Sequence, residues 1–468
     1  MQKKKIGIFI TSKDYVRNFI DTGIVDKLSQ NIEVHIFYNE NLAINKKKLT
    51  NCKSITKYNN SKNENYQQFN NRINLWRNRK KAISFKARIL ENYRIDKKRF
   101  IFSNKDNLIK HIFIIVKKIL SFFYNFLNFC IINILSRGIF YHFYKYIFSN
   151  RIKINNSLLN AVKKKKIHLI VVFSSGHNAD ALDLIKIGKL DKIPSYFIID
   201  NWDNLSSKIY FGDENKPDYI SCWGKQSQIH GEKIHNLINI DSIGSARFDF
   251  YFKERNKKQK KCFNYPYILF LGSSYEWNEN EALSILDNHI KKNKTKFKNL
   301  KIIYRPHPKR IDSRDKFKAF NYKNILLDPQ ILKTKIRDWP ALEYYPKILS
   351  NCLFVVGGLT SMIIESTIFY KRYIAVCYDD KNFLWSPKYI KKTRPHLFEI
   401  NSLNNINLCH TRKSLIKLFD KNFLNKDRSI NRKKIDKQRS FFLFNDKKKF
   451  EQRLEIKIKK IFENEKDL

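Results

Sequence analysis

The sequence predicts an α/β fold in two halves, each built on parallel strands. Two observations carry this. Short apolar runs alternate with helix-like stretches from Ile6 to Tyr38 and again from Ile167 to Val376, the spacing of strand–helix–strand units. Two of these runs also end in text suited to an anion. IIYRPHPKR at Ile302–Arg310 puts Arg305 and His307 directly after a strand. VVGGLTSMIIESTIFYKRYIAV at Val355–Val376 reads as a strand, a turn with Gly358, and a helix opening on Thr360 and Ser361 with Glu365 one turn in. A helix start gathers unpaired N–H groups and the positive end of the helix dipole at one spot. A cationic Arg and a titratable His on the neighbouring strand end suit a diphosphate.

Taken in order, Ile6–Thr11 is a first strand, Tyr15–Leu28 a helix and Val34–Tyr38 a second strand. The start MQKKKIGIFIT is basic then apolar, but its apolar run is too short for a signal peptide. Residues 41–105 are Asn- and Lys-rich and poorly periodic, an insertion with some helix. Residues 108–148 differ sharply. On a helix, Lys110, Lys117, Ser121, Asn125 and Asn128 form a narrow polar stripe, and the rest is Ile, Leu, Phe and Tyr. A buried helix pair, an interfacial helix dipping into a membrane and a transmembrane helix all fit this text. Lys117, Lys118 and the Asn residues weigh against the last, since each is costly in hydrocarbon.

From Ile167 the α/β pattern is clear. Ile167–Phe173 is a strand ending in SSGHNAD, Ala179–Ile187 a helix, and Tyr196–Ile199 a strand ending in DNWDNLSSK. Tyr219–Cys222 is a strand, a helix runs from Lys225 to Leu237, and Ile240–Ile243 leads to GSARFD. The basic stretch Phe252–Asn264 marks a boundary. Tyr267–Leu271 then reads as a strand ending on GSSYEWNE, followed by a helix over 278–292 and a strand over 301–305. Trp339–Ser350 reads as a helix, and 353–356 and Tyr373–Val376 as strands. The expected domains are 1–250, with the insertion at 41–160, and 265–425, followed by a charged helical tail at 426–468.

Composition narrows the function classes. A hydrophobic fraction of 43% in 468 residues is enough for packed cores. Lys+Arg 92 against Asp+Glu 43 gives a formal charge of +49, which raises nucleic acid as a partner. No RNA-binding aromatic motif, zinc finger or helix-turn-helix pattern supports it. The wealth of Lys, Asn, Ile, Phe and Tyr, with only 12 Gly and 10 Pro, is what an A/T-rich genome favours. Compositional background plus a membrane-surface role is the expectation, and nucleic acid is not an expected partner. The seven Cys are scattered without a CxxC pair, which argues against a zinc site or a disulfide scaffold and fits a reduced cytoplasmic setting.

Each candidate site residue has a stated chemistry. Arg305 and His307 are assigned to the phosphates of a donor, His307 also as a proton donor to the leaving phosphate. Thr360 and Ser361 bind phosphate through hydroxyl and backbone N–H, and Glu365 accepts from ribose hydroxyls. Gly272, Ser273 and Ser274 follow the first strand of the second half and are placed to approach the same phosphates. His177, just past a strand end, is a candidate general base for an acceptor hydroxyl. Asp200 and Asp203 compete for that role, with Trp202 placed to raise a neighbouring carboxyl. Arg247 and Asp249 are read as structural.

RPHP after a strand, GSARFD before the boundary, the Ser–Glu pair at a helix start, DNWDNLSSK and the opening YVRNFIDTG together resemble GT-B proteins. The text is most similar to the CDP-glycerol glycerophosphotransferase and surface-carbohydrate biosynthesis group, and related to the UDP-N-acetylglucosamine 2-epimerase superfamily. The likeness covers roughly 165–400 and, more weakly, 5–40. Where the teichoic-acid enzymes carry an Asp-Tyr-Ser-Ser-like helix start, this chain has GGLTSM. The resemblance implies two Rossmann-like domains facing across a cleft, the nucleotide donor mostly in the C-terminal domain and the acceptor in the N-terminal one. It implies a transferase acting without a metal cofactor on a nucleotide-linked donor and a glycan or lipid-linked acceptor. The expected setting is cytoplasmic, peripheral on the inner face of the membrane. A nucleotide-sugar 2-epimerase and a non-catalytic assembly scaffold remain the alternatives.

Overall fold

The computed structural model describes residues 4–93, 108–151, 153–174, 176, 178–275, 277–308, 310, 321–333, 340–380, 385–424 and 430–465. The chain divides into two compact units. The first comprises Met1–Tyr93, Tyr124–Phe250 and Ser440–Leu468, the second Arg94–Phe123 and Tyr251–Arg439.

The first unit is built on a seven-stranded sheet of β1 (Lys5–Ile10), β2 (Glu33–Asn39), β3 (Ser54–Tyr58), β4 (Leu169–Ser174), β5 (Ser195–Ile199), β6 (Tyr219–Cys222) and β7 (Ile240–Ser242). The spatial order is β3-β2-β1-β4-β5-β6-β7 and every pairing is parallel. Helices cover both faces of such a sheet, so its inner strands are apolar on both sides. β4 and β5 are buried at every position. The chain winds outward from β1 through β2 to β3 and then returns to β4 beside β1, so the winding reverses between β1 and β4.

The insertion holds more order than its composition suggested. SITKY forms edge strand β3, and Glu64–Arg77 and Ile83–Tyr93 are helices. β3 escaped the sequence reading because an edge strand is short and half exposed and lacks the apolar run of an inner strand. The helix expected over Tyr15–Leu28 is split: Gly23, at φ +75°, ends one turn and starts the helix Ile24–Asn31. The buried-pair reading of 108–148 does not hold. Helices Leu108–Leu135 and Gly138–Arg151 carry a long run of exposed large apolar side chains.

From Ser440 the charged tail folds into the first unit. Helix Phe450–Asn464 inserts Phe450, Leu454, Ile458 and Ile461 into the core formed by β1, β2 and their helices, each burial contributing about 1.5–3 kcal/mol. Arg453 Nη2 meets Asp249 Oδ1 at 2.8 Å, and the Phe450 amide donates to the other carboxylate oxygen. Asp249 is therefore structural, as the sequence suggested, and its role is to hold this helix. Gly244, at φ +82°, lies under the tail; a Cβ there would stand 2.5 Å from the Phe444 carbonyl oxygen.

The second unit has a six-stranded sheet of β8 (Tyr267–Leu271), β9 (Lys301–Arg305), β10 (Ile325–Leu327), β11 (Val355–Gly357), β12 (Tyr373–Val376) and β13 (Ile406–Cys409). The order is β10-β9-β8-β11-β12-β13, again all parallel. β10 and β13 are edge strands, and their short, partly exposed text was not recognised in the sequence. The helix read over Trp339–Ser350 spans Tyr344–Asn351, and Trp339 lies outside the described residues.

Two outcomes are expected. Gly244→Ala forces a strained backbone onto the tail; it lowers stability in urea unfolding by about 1–3 kcal/mol and speeds proteolysis within 440–449. The second concerns His235, buried among Phe85, Tyr210 and Phe211. Its Nδ1 accepts from the Phe211 amide and its Nε2 faces the Leu205 carbonyl oxygen at 2.6 Å, so the neutral ring carries its proton on Nε2. Burial pushes its pKa down to about 4 from 6.5. The unfolded chain binds the proton first, so this stabilisation is complete above pH ~6.5 and is lost as pH falls toward ~4. Thermal unfolding against pH should show that slope, and His235→Leu, less stable at neutral pH, should flatten it.

Candidate functional site

In the second unit the chain winds outward from β8 through β9 to β10, then returns to β11 and winds the other way. The carboxyl ends of β8 and β11 therefore flank a switch point, where open parallel sheets place their ligands. The expected residues meet here from three neighbouring strands. Gly272 and Ser273 leave β8, Pro306 and His307 leave β9, and Gly358 to Ser361 leave β11.

The spacing between these turns is tight. The Gly272 amide donates to the Arg305 carbonyl at 2.9 Å, and the Gly358 amide to the Leu271 carbonyl at 3.1 Å. A Cβ on Gly358 would lie 2.9 Å from Ser273 Cβ, and 3.2 Å from both Ser273 Oγ and Trp277 Nε1. Only glycine lets the two turns touch. Tyr275 then ties them: its hydroxyl accepts from the Leu359 amide at 2.7 Å and sits 3.1 Å from the Leu359 carbonyl oxygen. Glu279, in the first turn of helix Glu279–Lys292, braces the β8 turn from below. One of its oxygens accepts from the Ser273 amide at 3.1 Å, the other from the Tyr304 hydroxyl at 2.5 Å.

The expected residues separate into a supporting layer and an outer layer. Arg305 is 4% exposed. It donates to the Tyr345 hydroxyl, lies over the Tyr345 ring at 4.3 Å, and pairs with buried Asp328 at 3.5 Å. Burial pushes the Asp328 carboxyl up against the downward pull of Arg305. The guanidinium is thus engaged inside the unit, where it anchors the end of β9. Ser273 is fully buried, its hydroxyl donating to the Tyr275 carbonyl at 2.9 Å. Glu365 is buried as well, with the Ser361 hydroxyl 3.4 Å away. Ser274 is exposed, and His307, Thr360 and Ser361 are half exposed. These four carry the outer surface of the cluster. Thr360 Oγ1 also accepts from the Met362 amide at 3.2 Å, so it caps the following turn.

Four members were missed in the sequence. Tyr275, Trp277 and Glu279 all lie within GSSYEWNE, of which only Gly272, Ser273 and Ser274 were singled out. Arg310 follows RPHP; its amide donates to the His307 carbonyl at 2.8 Å and its guanidinium to the Tyr275 carbonyl at 2.9 Å. Trp277 is buried, and its indole N–H, beside Gly358, has no hydrogen-bond partner among the described residues.

The first unit has its switch point between β1 and β4. Thr11 Oγ1 donates to the Phe173 carbonyl at 3.3 Å, and Ser174 Oγ holds the Gly176 amide at 2.8 Å. His177 lies outside the described residues. Asp200, at the end of β5, accepts from Asn18 Nδ2 at 2.6 Å, Trp223 Nε1 at 3.0 Å and Ser245 Oγ at 2.5 Å. One carboxylate thereby joins the loops that follow β1, β5, β6 and β7, the geometry of an anchor. Asp203 is half exposed and paired with Lys208 Nζ at 2.6 Å. Trp202 donates its indole N–H to Gln226 at 2.7 Å.

No protein-family model matches the sequence, and no curated protein is similar to it. Solved structures do match over nearly the whole chain. A putative UDP-N-acetylglucosamine 2-epimerase from Listeria monocytogenes aligns with a TM-score of 0.52 at 12% identity, covering 99% of this chain and 97% of that one. The Methanocaldococcus jannaschii UDP-GlcNAc 2-epimerase in complex with UDP-GlcNAc and UDP gives 0.49 at 13% identity, over 97% and 99%. MurG of Acinetobacter baumannii gives 0.43 at 11%, over 98% and 99%. The likeness is one of fold: a two-domain α/β architecture of the GT-B type.

The Arg305 anchor makes a prediction that needs no ligand. Arg305→Met leaves Asp328 buried without its counter-ion, held only by the Gln330 amide and the Tyr344 hydroxyl, and should cost about 3 kcal/mol in urea unfolding. Adding Asp328→Asn should restore part of that loss, as a double-mutant cycle would read. An Arg305 that served only to bind a ligand would leave the unfolding free energy unchanged.

Proposed function

We propose that the protein is a transferase that moves a sugar or polyol-phosphate from a nucleotide-activated donor to a surface-glycan or lipid-linked acceptor. The observation that carries this is the meeting of three strand ends at the switch point of the second sheet, where Gly358 brings the β8 and β11 turns into contact. In this reading the donor diphosphate rests on that surface. Ser274, Thr360 and Ser361 supply hydroxyl and backbone donors, and His307 with Arg310 the cationic or proton-donating groups. Glu279, Tyr275 and Arg305 position those turns without touching the donor.

The reaction is displacement either at the sugar carbon, with the nucleoside diphosphate leaving, or at the phosphorus that carries the polyol, with the nucleoside monophosphate leaving. The acceptor oxygen gives up its proton and forms the new bond, the bond to the leaving phosphate breaks, and negative charge grows on the leaving oxygen. Groups fixed around that oxygen stabilise it most where water is excluded. His307, at the rim, is the group proposed to give the leaving oxygen a proton or hydrogen bond. No metal cofactor is part of the proposal. The acceptor is assigned to the first unit, with the base sought between His177 and Asp203. Asp200 is assigned an anchoring role because donors from three other loops already converge on it.

Thermal-shift measurements with CDP-, UDP-, GDP- and CMP-linked ligands test the donor site. A ligand at 100 times its dissociation constant adds about 2.7 kcal/mol of stability, so one nucleotide class should raise the melting temperature clearly. His307→Ala and Ser361→Ala should weaken that shift while leaving the unliganded melting temperature within a degree or two. No shift from any nucleotide, with a well-folded protein, turns the assignment toward a scaffold. A nucleotide-sugar 2-epimerase is the second reading, favoured by the TM-score of the Listeria protein. Solvent deuterium appearing in a UDP-sugar with no acceptor present would select it.

A further inference from the structure

Helices Leu108–Leu135 and Gly138–Arg151 bear an apolar surface that the other described residues leave exposed. Along the first, Phe113, Leu120, Phe123 and Leu127 are 69, 65, 56 and 59% exposed; on the second, Ile139 and Phe143 are 78 and 63% exposed. At 3.6 residues per turn the exposed apolar side chains take up about half the circumference of the long helix. A soluble protein seldom leaves so large an apolar patch without a partner.

The other side of the pair is docked firmly near its elbow. Ile132 is buried with Ile73, Trp76, Phe85 and Ile89. Trp76 Nε1 donates to Asn133 Oδ1 at 3.1 Å, and Arg77 Nη1 to the Ser136 carbonyl at 3.1 Å. Tyr141 donates to Asn74 Oδ1 at 3.0 Å, beneath the Arg77 guanidinium, which lies 4.0 Å from its ring. Elbow and support are thus ordered, and the apolar side faces away from them.

Charge identifies the partner. Residues 65–90, which supply the support, hold seven Lys and Arg and no Asp or Glu; residues 108–151 hold six and again no acid. Arg77, Lys80, Lys81 and Arg137 are exposed beside the elbow. Lys145 on the second helix pairs with Glu214, but the cations beside the elbow stand in acid-free stretches of chain, and an apolar face flanked in this way matches anionic headgroups above acyl chains. We propose that this helix pair seats the protein on an anionic bilayer, embedded in one leaflet.

One leaflet follows from dimensions. Among the described residues no single helix is long and apolar enough to cross a membrane, and the apolar arms Ile119–Leu135 and Gly138–Ile147 meet at 99°. The longer arm spans about 26 Å, short of the ~30 Å hydrocarbon core. Its elbow end is also fastened to Trp76 and Arg77, so it cannot pass to the far leaflet.

The test is flotation of the full-length protein with vesicles of phosphatidylcholine alone, or with about one third phosphatidylglycerol. The wild type should float with the anionic vesicles and less so as salt rises. Phe123→Glu with Leu127→Glu, both at exposed positions, should lower partitioning at least about tenfold with an unchanged melting temperature. Lys80→Glu with Lys81→Glu should abolish the preference for anionic lipid. Alkaline carbonate should strip the bound protein from the vesicles. A wild type that floats with no vesicle, or a Phe123→Glu, Leu127→Glu variant that floats as well as the wild type, overturns the proposal. Retention in carbonate overturns the one-leaflet geometry. Self-association seen by light scattering, lost in the same variant and unaccompanied by flotation, assigns the face to a second copy of the chain. The proposal is independent of the donor reading, and flotation uses no nucleotide, so either can fail without the other.

Discussion

An inner strand of an all-parallel sheet is covered on both faces, so a polar side chain along it needs a buried partner, as Ser221 finds in Tyr196 and Asp241. Both sheets obey this constraint, and much else in the molecule follows from it. Polar groups are displaced to the carboxyl ends of strands, where backbone donors need partners. Each unit answers with a buried carboxylate at a strand end. Asp200 gathers Asn18, Trp223 and Ser245, and Glu279 gathers the Ser273 amide and the Tyr304 hydroxyl. A buried carboxylate is costly unless donors surround it, and donors to a charged acceptor form the stronger class of hydrogen bond. These acids therefore fix the shape of the loops above them. That fixing is what gives the outer residues His307, Thr360 and Ser361 a defined place.

The same constraint explains which parts of the fold the sequence made legible. Inner strands such as Tyr267–Leu271 and Lys301–Arg305 announce themselves as continuous apolar runs, and their bounds came out to the residue. Of the four edge strands, β7 was read at Ile240–Ile243, whereas β3, β10 and β13, whose text is short and mixed, were not found. At the site, strand-end turns were legible because glycine and proline mark them. The direction of each side chain was not. Arg305 follows an apolar run as a ligand-binding arginine would, but its partners Asp328 and Tyr345 come from later in the chain and take it inward. Asp200 is the same case: its donors lie 182, 23 and 45 residues away in sequence. Proximity of that kind is created by the sheet order, which no single segment encodes.

The charged tail packs back onto the fold rather than lying on its surface. FEQRLEIKIKKIF looks like a solvated helix, yet its apolar positions fall on one side and enter the core around β1 and β2. Arg453, in its first turn, is buried and held by Asp249 and Asp446. Basic residues here are partly architectural. Arg305 and Arg412 likewise pair with carboxylates inside the second unit.

Pairing of that kind cannot absorb the charge as a whole. Asp and Glu number 43 against 92 Lys and Arg, so more than half of the cations have no acid to meet, however the chain folds. The surplus repels itself and any second copy of the chain, and attracts anionic surfaces. Its distribution then matters more than its size. An exposed apolar face on a neutral protein would draw two copies together. Here that face lies in a stretch of chain without a single Asp or Glu, next to another acid-free stretch. Bringing two such faces into contact would bury apolar surface only by crowding like charges at the rim, where repulsion opposes it. Against an anionic bilayer the same burial proceeds with attraction at the rim. The two contributions then act in one direction, and that is the physical reason a membrane surface fits this face better than a copy of the protein does.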